Sequence, residues 1–363
     1  MSVIKWNIGH ENRTIVEESD YEESIFFGQY RQACRLLEGF VNREIDDTLQ
    51  IIAFCGERGS GKTSSMQSVM KIIAQTQTDK SDRTENFFHK AKLEKLQNRL
   101  KDGIRRNDLS FEIPEMIDPS FFDRENNIIE LLIGQIYGDL REYERAHKST
   151  IDRILLNKIY DSLSEIKECL LTLHGSDEDR FSGSTELSVL SNAVKLKKSV
   201  RALVKDYLRL KGRRKLLVSV DDLDLNRDGA YEMCEQIRKY LAMPECVVFL
   251  SFNYSQLVDS LTSALENNAT YGGDERHADT LRLRAIRYLD KLVASGERVH
   301  TPQAYNLCNR ELRIYEEGRI VPNPGGETIV KDVVVSLIFQ KTRFLFYNNK
   351  GGVSPILPNN LRE

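Results

Sequence analysis

Eight consecutive residues, Gly56-Glu57-Arg58-Gly59-Ser60-Gly61-Lys62-Thr63, set three glycines, an ammonium and a hydroxyl in the spacing G-x-x-x-x-G-K-[ST]. Glycines let a backbone curl until successive N–H groups converge on one anion. A helix starting near Lys62 would add the positive end of its dipole. The anion that suits this cradle is a nucleoside triphosphate. Lys62 would reach its outer phosphates and the Thr63 hydroxyl would ligate Mg²⁺, while Glu57, Arg58 and Ser64 complete the lining.

A second group sits at the end of Leu216-Leu-Val-Ser-Val-Asp221-Asp222-Leu-Asp224. Mg²⁺ needs an anionic oxygen held near the loop, and the C-terminal tip of a neighbouring strand supplies one. Asp221 is the candidate metal ligand. Asp222 points differently and is the candidate base for the attacking water. Asp224 is either a functional acid or an N-cap or loop carboxylate ahead of the helix near 230–241. Asn253, closing Val247-Val-Phe-Leu-Ser-Phe, either holds the attacking water or senses the γ-phosphate, or is a turn residue.

These residues need elements to carry them. Leu49–Cys55, Lys215–Val220 and Cys246–Phe252 are short apolar runs of the kind buried in parallel sheets, and Phe111–Ile117 is an irregular or edge strand because of Pro114. Helical spacing covers 21–43, 63–74, 125–145 and 231–241, and 146–210 reads as helical around a loop at Gly175–Ser184. The charged stretch 80–107 reads as a solvated amphipathic helix. Strand, helix, strand in that order predicts an α/β, doubly wound, mostly parallel sheet. The chain divides into a lead-in with a helix (1–48), a core (49–300) with a large helical insertion at about 121–210, and the start of a C-terminal helical or lid region (301–363).

The 363 residues have a formal net charge of −3 and are 40% hydrophobic and 29% charged, a soluble globular composition with no global call for nucleic acid. Six cysteines lie scattered without CxxC spacing, which argues for free thiols in a reducing compartment. No signal-peptide core and no membrane-length apolar run is visible, so the expected location is cytoplasmic with no membrane partner.

Together GERGSGKTS, VSVDDLDLN, VVFLSFN and RYLDKLV followed by Pro302 resemble the KAP/STAND-like prokaryotic P-loop ATPases, relatives of the AAA+ proteins. The likeness covers about residues 49–302. It implies an ASCE/AAA+-like P-loop core in which Gly56–Thr63 is the Walker A loop, Asp221 and Asp222 the Walker B pair, and Asn253 the sensor position. It further implies ATP with Mg²⁺, hydrolysis, a homo-oligomeric ring and a role in antiviral defence. Within the group, Ile117-Asp-Pro-Ser-Phe121 and the following 126–137 segment are similar to the ATPase subunits of RADAR antiphage systems, which implies an adenosine deaminase as partner. Two departures are the lack of membrane helices common in KAP proteins and the long stretch from Thr63 to Asp221.

The same resemblance implies an arginine supplied by a neighbouring subunit. Arg282, Arg284 and Arg287 are candidates, Arg287 foremost, against the alternative of a solvated basic helix face. Pro358-Asn-Asn-Leu-Arg362-Glu363 looks like the opening of a helix whose arginine senses nucleotide. The expectation is therefore that these residues are the front of a longer polypeptide, with Arg362 touching nucleotide. Two other functions stay open: a nucleotide-binding signalling scaffold with little turnover, and a nucleic-acid-dependent ATPase using the basic segment 90–106.

Overall fold

The computed structural model describes residues 4–7, 21–22, 24–41, 48–78, 81–106, 109–119, 128–148, 150–173, 183–226, 229–267, 275–302, 311–316, 319–323, 326 and 328–343. In chain order the elements are β1 (Ile4–Asn7), α1 (Phe27–Val41), β2 (Ile51–Cys55), α2 (Lys62–Thr76), α3 (Glu85–Ala91), α4 (Glu94–Arg106), β3 (Phe111–Glu112), α5 (Ile128–Ala146), α6 (Arg153–Leu173) and α7 (Gly183–Lys211). They continue as β4 (Lys215–Val220), α8 (Ala230–Tyr240), β5 (Cys246–Phe252), α9 (Tyr254–Asn267), α10 (Glu275–Leu292), β6 (Arg298–His300), β7 (Leu312–Glu316), β8 (Arg319–Val321) and α11 (Val330–Thr342).

Five strands form one parallel sheet in the order β3-β4-β5-β2-β6. Every residue of β2, β4 and β5 is buried, as continuous apolar runs covered on both faces must be. The pleat sends alternate side chains into two separate cores. Ile51, Ala53 and Cys55 join Val218, Val248 and Leu250 under helices α5 to α10. Ile52 and Phe54 join Leu217, Val247 and Phe249 under α1 to α4. Burying that much apolar surface on both sides is what holds the sheet rigid.

The winding has a consequence for function. After β2 the chain leaves through α2 on one face, whereas after the adjacent β5 it leaves through α9 on the other. Helices departing in opposite directions open a crevice beyond the carboxyl ends of β2 and β5, where such sheets bind ligands. The glycine loop and Asn253 lie at that crevice.

The helical insertion is present as α5, α6 and α7. It is tied to the edge of the sheet where Lys211 pairs with Glu112 of β3 at 3.4 Å, and α7 is joined to α5 where Tyr207 donates to Asp139 at 2.7 Å and Lys211 pairs with Asp139 at 2.9 Å. The expected loop at 175–184 lies largely outside the described residues, and α7 already begins at Gly183.

Two expectations need correction. The single solvated helix over 80–107 is broken at Lys92, whose φ of 58° is left-handed, into α3 and α4. Its apolar side (Phe87, Phe88, Leu93, Leu96, Leu100) is buried in the core. Residues 301–343 are not simply helical. β7 and β8 form a hairpin, β7 pairs in parallel with β1, and only α11 follows the helical expectation. The reason lies in the alternation of Leu312 and Ile314, both buried, with polar neighbours, a period-two pattern over too few residues to stand out.

Among the described residues no helix is long and apolar enough to cross a membrane. The described cysteines are free and buried, and burial pushes the Cys34 and Cys55 thiols up to about 12, which leaves them poor nucleophiles. Cys308 lies outside the described residues.

Candidate functional site

The loop after β2 takes the shape its glycines permit. Gly59 and Gly61 have φ of 78° and 87°, left-handed values that side chains resist. At Gly56 the obstacle is contact: a Cβ there would stand 1.8 Å from Thr301 Oγ1 and 2.6 Å from Ser60 Oγ. Those two hydroxyls are hydrogen-bonded at 2.7 Å, and Thr301 N donates to Cys55 O at 2.8 Å, so the end of β6 braces the loop. At Gly61 a Cβ would meet the Phe26 ring at 2.3 Å. The lead-in before α1 therefore presses on the loop from the other side.

α2 begins at Lys62 with no side chain capping its N-terminus, leaving its first amides for an anion. Lys62 is 6% exposed. Its Nζ donates to the Glu57 carbonyl at 3.3 Å and lies 3.7 Å from Asp222 Oδ1. Thr63 Oγ1 donates to Asp221 Oδ1 at 3.0 Å. The loop and the acidic strand end thus meet across the one intervening strand, β5. Ser64, in the first turn of α2, is half-buried and its carbonyl accepts from Ser68 Oγ at 2.7 Å. Arg58 is exposed on the loop.

β5 does more than separate the two groups. Its register places Val220 beside Leu250 and Cys55 beside Phe252. One step further, Asp221 falls opposite Ser251, and Gly56 opposite Asn253. Ser251 Oγ donates to Asp221 Oδ1 and accepts from Asp222 N at 2.9 Å. Asn253 Nδ2 donates to Glu57 Oε2 at 2.9 Å, while its Oδ1 accepts from Ser255 N and Gln256 N at 3.0 and 3.3 Å and so caps α9. The turn-closing role of Asn253 and its contact with the loop are both present.

Asp222 has φ 44°, a left-handed value that Asp tolerates better than most residues. The backbone reversal swings its carboxylate away from that of Asp221, half-exposed and toward Lys62. Asp224 is buried and accepts from Asn253 N at 3.0 Å. Its reading as the N-cap ahead of 230–241 is incorrect. Gly229 holds that position without a side-chain cap, because the tight turn after β4 directs Asp224 back to β5.

Burial raises the pKa of Asp221, the Asp222 and Asp118 charges raise it further, and the Ser251 and Thr63 hydrogen bonds oppose the shift. Burial likewise raises Asp224. The folded chain therefore holds these protons more tightly than the unfolded chain. Their contribution to stability is full below the ordinary carboxylate range and is lost as pH rises through the raised values. At neutral pH the ionised pair is a cost, and Asp221→Asn, which keeps both hydrogen-bond acceptances, removes part of it. The variant without ligand is expected to melt higher at pH 7, on the order of a few degrees, with the gain vanishing near pH 4. A pH series of thermal melts checks this, and a lower Tm at pH 7 counts against it.

Mg²⁺ keeps several waters and takes one or two carboxylates plus phosphate oxygens, so it does not require a cluster of acidic side chains. None of three or more metal-binding side chains exists among the described residues. The touching hydroxyl of Thr63 and carboxylate of Asp221 are hard oxygen donors of the kind it does take, and the residues fit.

Arg287 is exposed on α10, as is Arg284, and Arg282 pairs with Asp259 at 2.6 Å on α9. No described hydrogen bond or ion pair joins Arg287 to the loop of its own chain. Arg362 lies outside the described residues. Ser251 and Thr301 were not singled out from sequence. Ser251 shares a strand face with Asn253 two residues on, a polar pair in an apolar run, and that was the available signal.

No protein-family model matches the chain, and no curated protein matches it.

Proposed function

We propose that the chain binds ATP with Mg²⁺ at Gly56–Thr63 and hydrolyses it. The observation that carries this reading is the Thr63–Asp221 hydrogen bond of 3.0 Å, which joins the phosphate-cradling loop to the acidic strand end. The strand order, with β5 inserted between β2 and β4, also suits an ASCE/AAA+-like P-loop core. Thr63 and Asp221 would hold Mg²⁺, which when bound neutralises charge on the phosphates. Lys62 and the loop amides bind and orient the chain of phosphates. Water attacks the γ-phosphorus, the bond to the β–γ bridging oxygen breaks, and Asp222 accepts the proton of the attacking water.

The ion pair in the site gives this sequence an order. Lys62 now leans on Asp222, so phosphates that draw the ammonium away also free the carboxylate to act as base. The motif resemblance extends the proposal to a cytoplasmic, ring-forming assembly in prokaryotic antiviral defence, with an adenosine deaminase as effector partner. The exposed Arg287 would then reach a neighbouring subunit's phosphates, and Arg362 would sense nucleotide.

A nucleotide switch with little turnover is the second reading, favoured by that same Lys62–Asp222 contact, which occupies the base. Phosphate release measured over hours with ATP and Mg²⁺ is expected to be linear, Mg²⁺-dependent and catalytic, beyond one phosphate per chain. Release that stops at one equivalent selects the switch. A rate that rises with DNA or RNA and falls with salt would select a nucleic-acid-dependent motor.

A further inference from the structure

Glu57 touches both groups that face the end of the phosphate chain. Its carbonyl accepts from Lys62 Nζ, and its carboxylate accepts from Asn253 Nδ2 at 2.9 Å. The orientation of Asn253 is not free to change. Its Oδ1 is committed to two amides at the start of α9 and its own N–H to Asp224, which leaves Nδ2 as its only group toward the loop. Asn253 is therefore a donor there, suited to an anionic oxygen rather than to a water proton. At present that oxygen belongs to Glu57.

The charges around it point the same way. Among the described residues Lys62 is the one cation paired in the site, and it faces Asp222, with Asp221 and Asp224 buried close by. A further carboxylate beside a phosphate would be repelled at short range, where screening by salt is weak. Glu57 is itself solvent-exposed, so water can receive its carboxylate once the Asn253 contact breaks.

We propose that Glu57 is a specificity-determining residue that stands in for the γ-phosphate, so that only a nucleotide carrying one displaces it from Asn253. The inference rests on the nucleotide-binding reading above. A diphosphate ends short of Asn253 and leaves the Glu57 contact intact. A triphosphate replaces one anionic oxygen by another, and the loop opens at Glu57. The cost of breaking the contact is thus charged to ATP alone, and it makes rearrangement of the loop a signature of the triphosphate.

The experiment is calorimetric titration of wild type, Glu57→Gln and Glu57→Ala with Mg²⁺ and either ADP or adenylyl imidodiphosphate. Loss of a hydrogen bond to an exposed carboxylate predicts about three- to tenfold tighter imidodiphosphate binding in Glu57→Ala, with a clearly smaller change for ADP. Glu57→Gln, which keeps a neutral acceptor, is expected to fall between. Equal shifts for both nucleotides, no shift, or weaker imidodiphosphate binding overturns the proposal while leaving the nucleotide site standing. Wild type that binds neither nucleotide overturns the site and this proposal together.

Discussion

Lys62→Ala is expected to weaken binding of Mg²⁺-ATP by about a hundredfold or more, since charge-assisted hydrogen bonds contribute roughly 1.5–3 kcal/mol each and 1.4 kcal/mol is tenfold. Lys62 is buried and held between the Glu57 carbonyl and Asp222. No other described cation is paired with the acidic strand end. Taking the ammonium away leaves Asp221, Asp222 and Asp224 facing a polyanion without compensation. The loop amides keep their geometry, because that geometry comes from the glycines and from the bracing by Thr301 and Phe26. Titration with a fluorescent ATP analogue, on protein whose circular dichroism matches wild type, measures the loss. Affinity within threefold of wild type would remove Lys62 from the site.

Asp222→Asn separates binding from chemistry. Asparagine accepts a left-handed φ about as well as aspartate, so the turn after β4 survives and Asp222 N keeps its bond to Ser251. Alanine at this position would add backbone strain to the loss of the carboxylate and would be harder to interpret. Asn cannot take a proton, and turnover is expected to fall by about a hundred- to ten-thousandfold. Binding of ATP should be kept or improved, because Lys62 no longer has an anion to leave. Hydrolysis at the wild-type rate would show that another group is the base.

The sheet was legible because each central strand is a continuous apolar run that ends in chemistry-bearing residues: Cys55 before the glycines, Val220 before the aspartates, Phe252 before Asn253. Burial on both faces requires such runs, and parallel order follows from the helices between them. What lay beyond reach is set by register. That Ser251 meets Asp221, or that Glu57 meets Asn253, depends on β5 lying between β2 and β4, which no local pattern states. The choice left open at Asp224 could not be made for the same reason, since its partner is 29 residues away beside another strand. The small second sheet escaped because β1 has 4 residues and β8 has 3, too short for alternation to be told from chance.

That second sheet has a bearing on how the chain is made. Ile4 pairs with Leu312 and Asn7 with Tyr315, so β1 waits for a partner synthesised some three hundred residues later. Contacts of such separation close slowly. On the ribosome the five-stranded sheet can assemble while Ile4–Asn7 is still unpartnered, and the pairing with Leu312–Glu316 comes after it. A protein lacking Ile4–Asn7 should keep the five-stranded sheet and lose only this pairing.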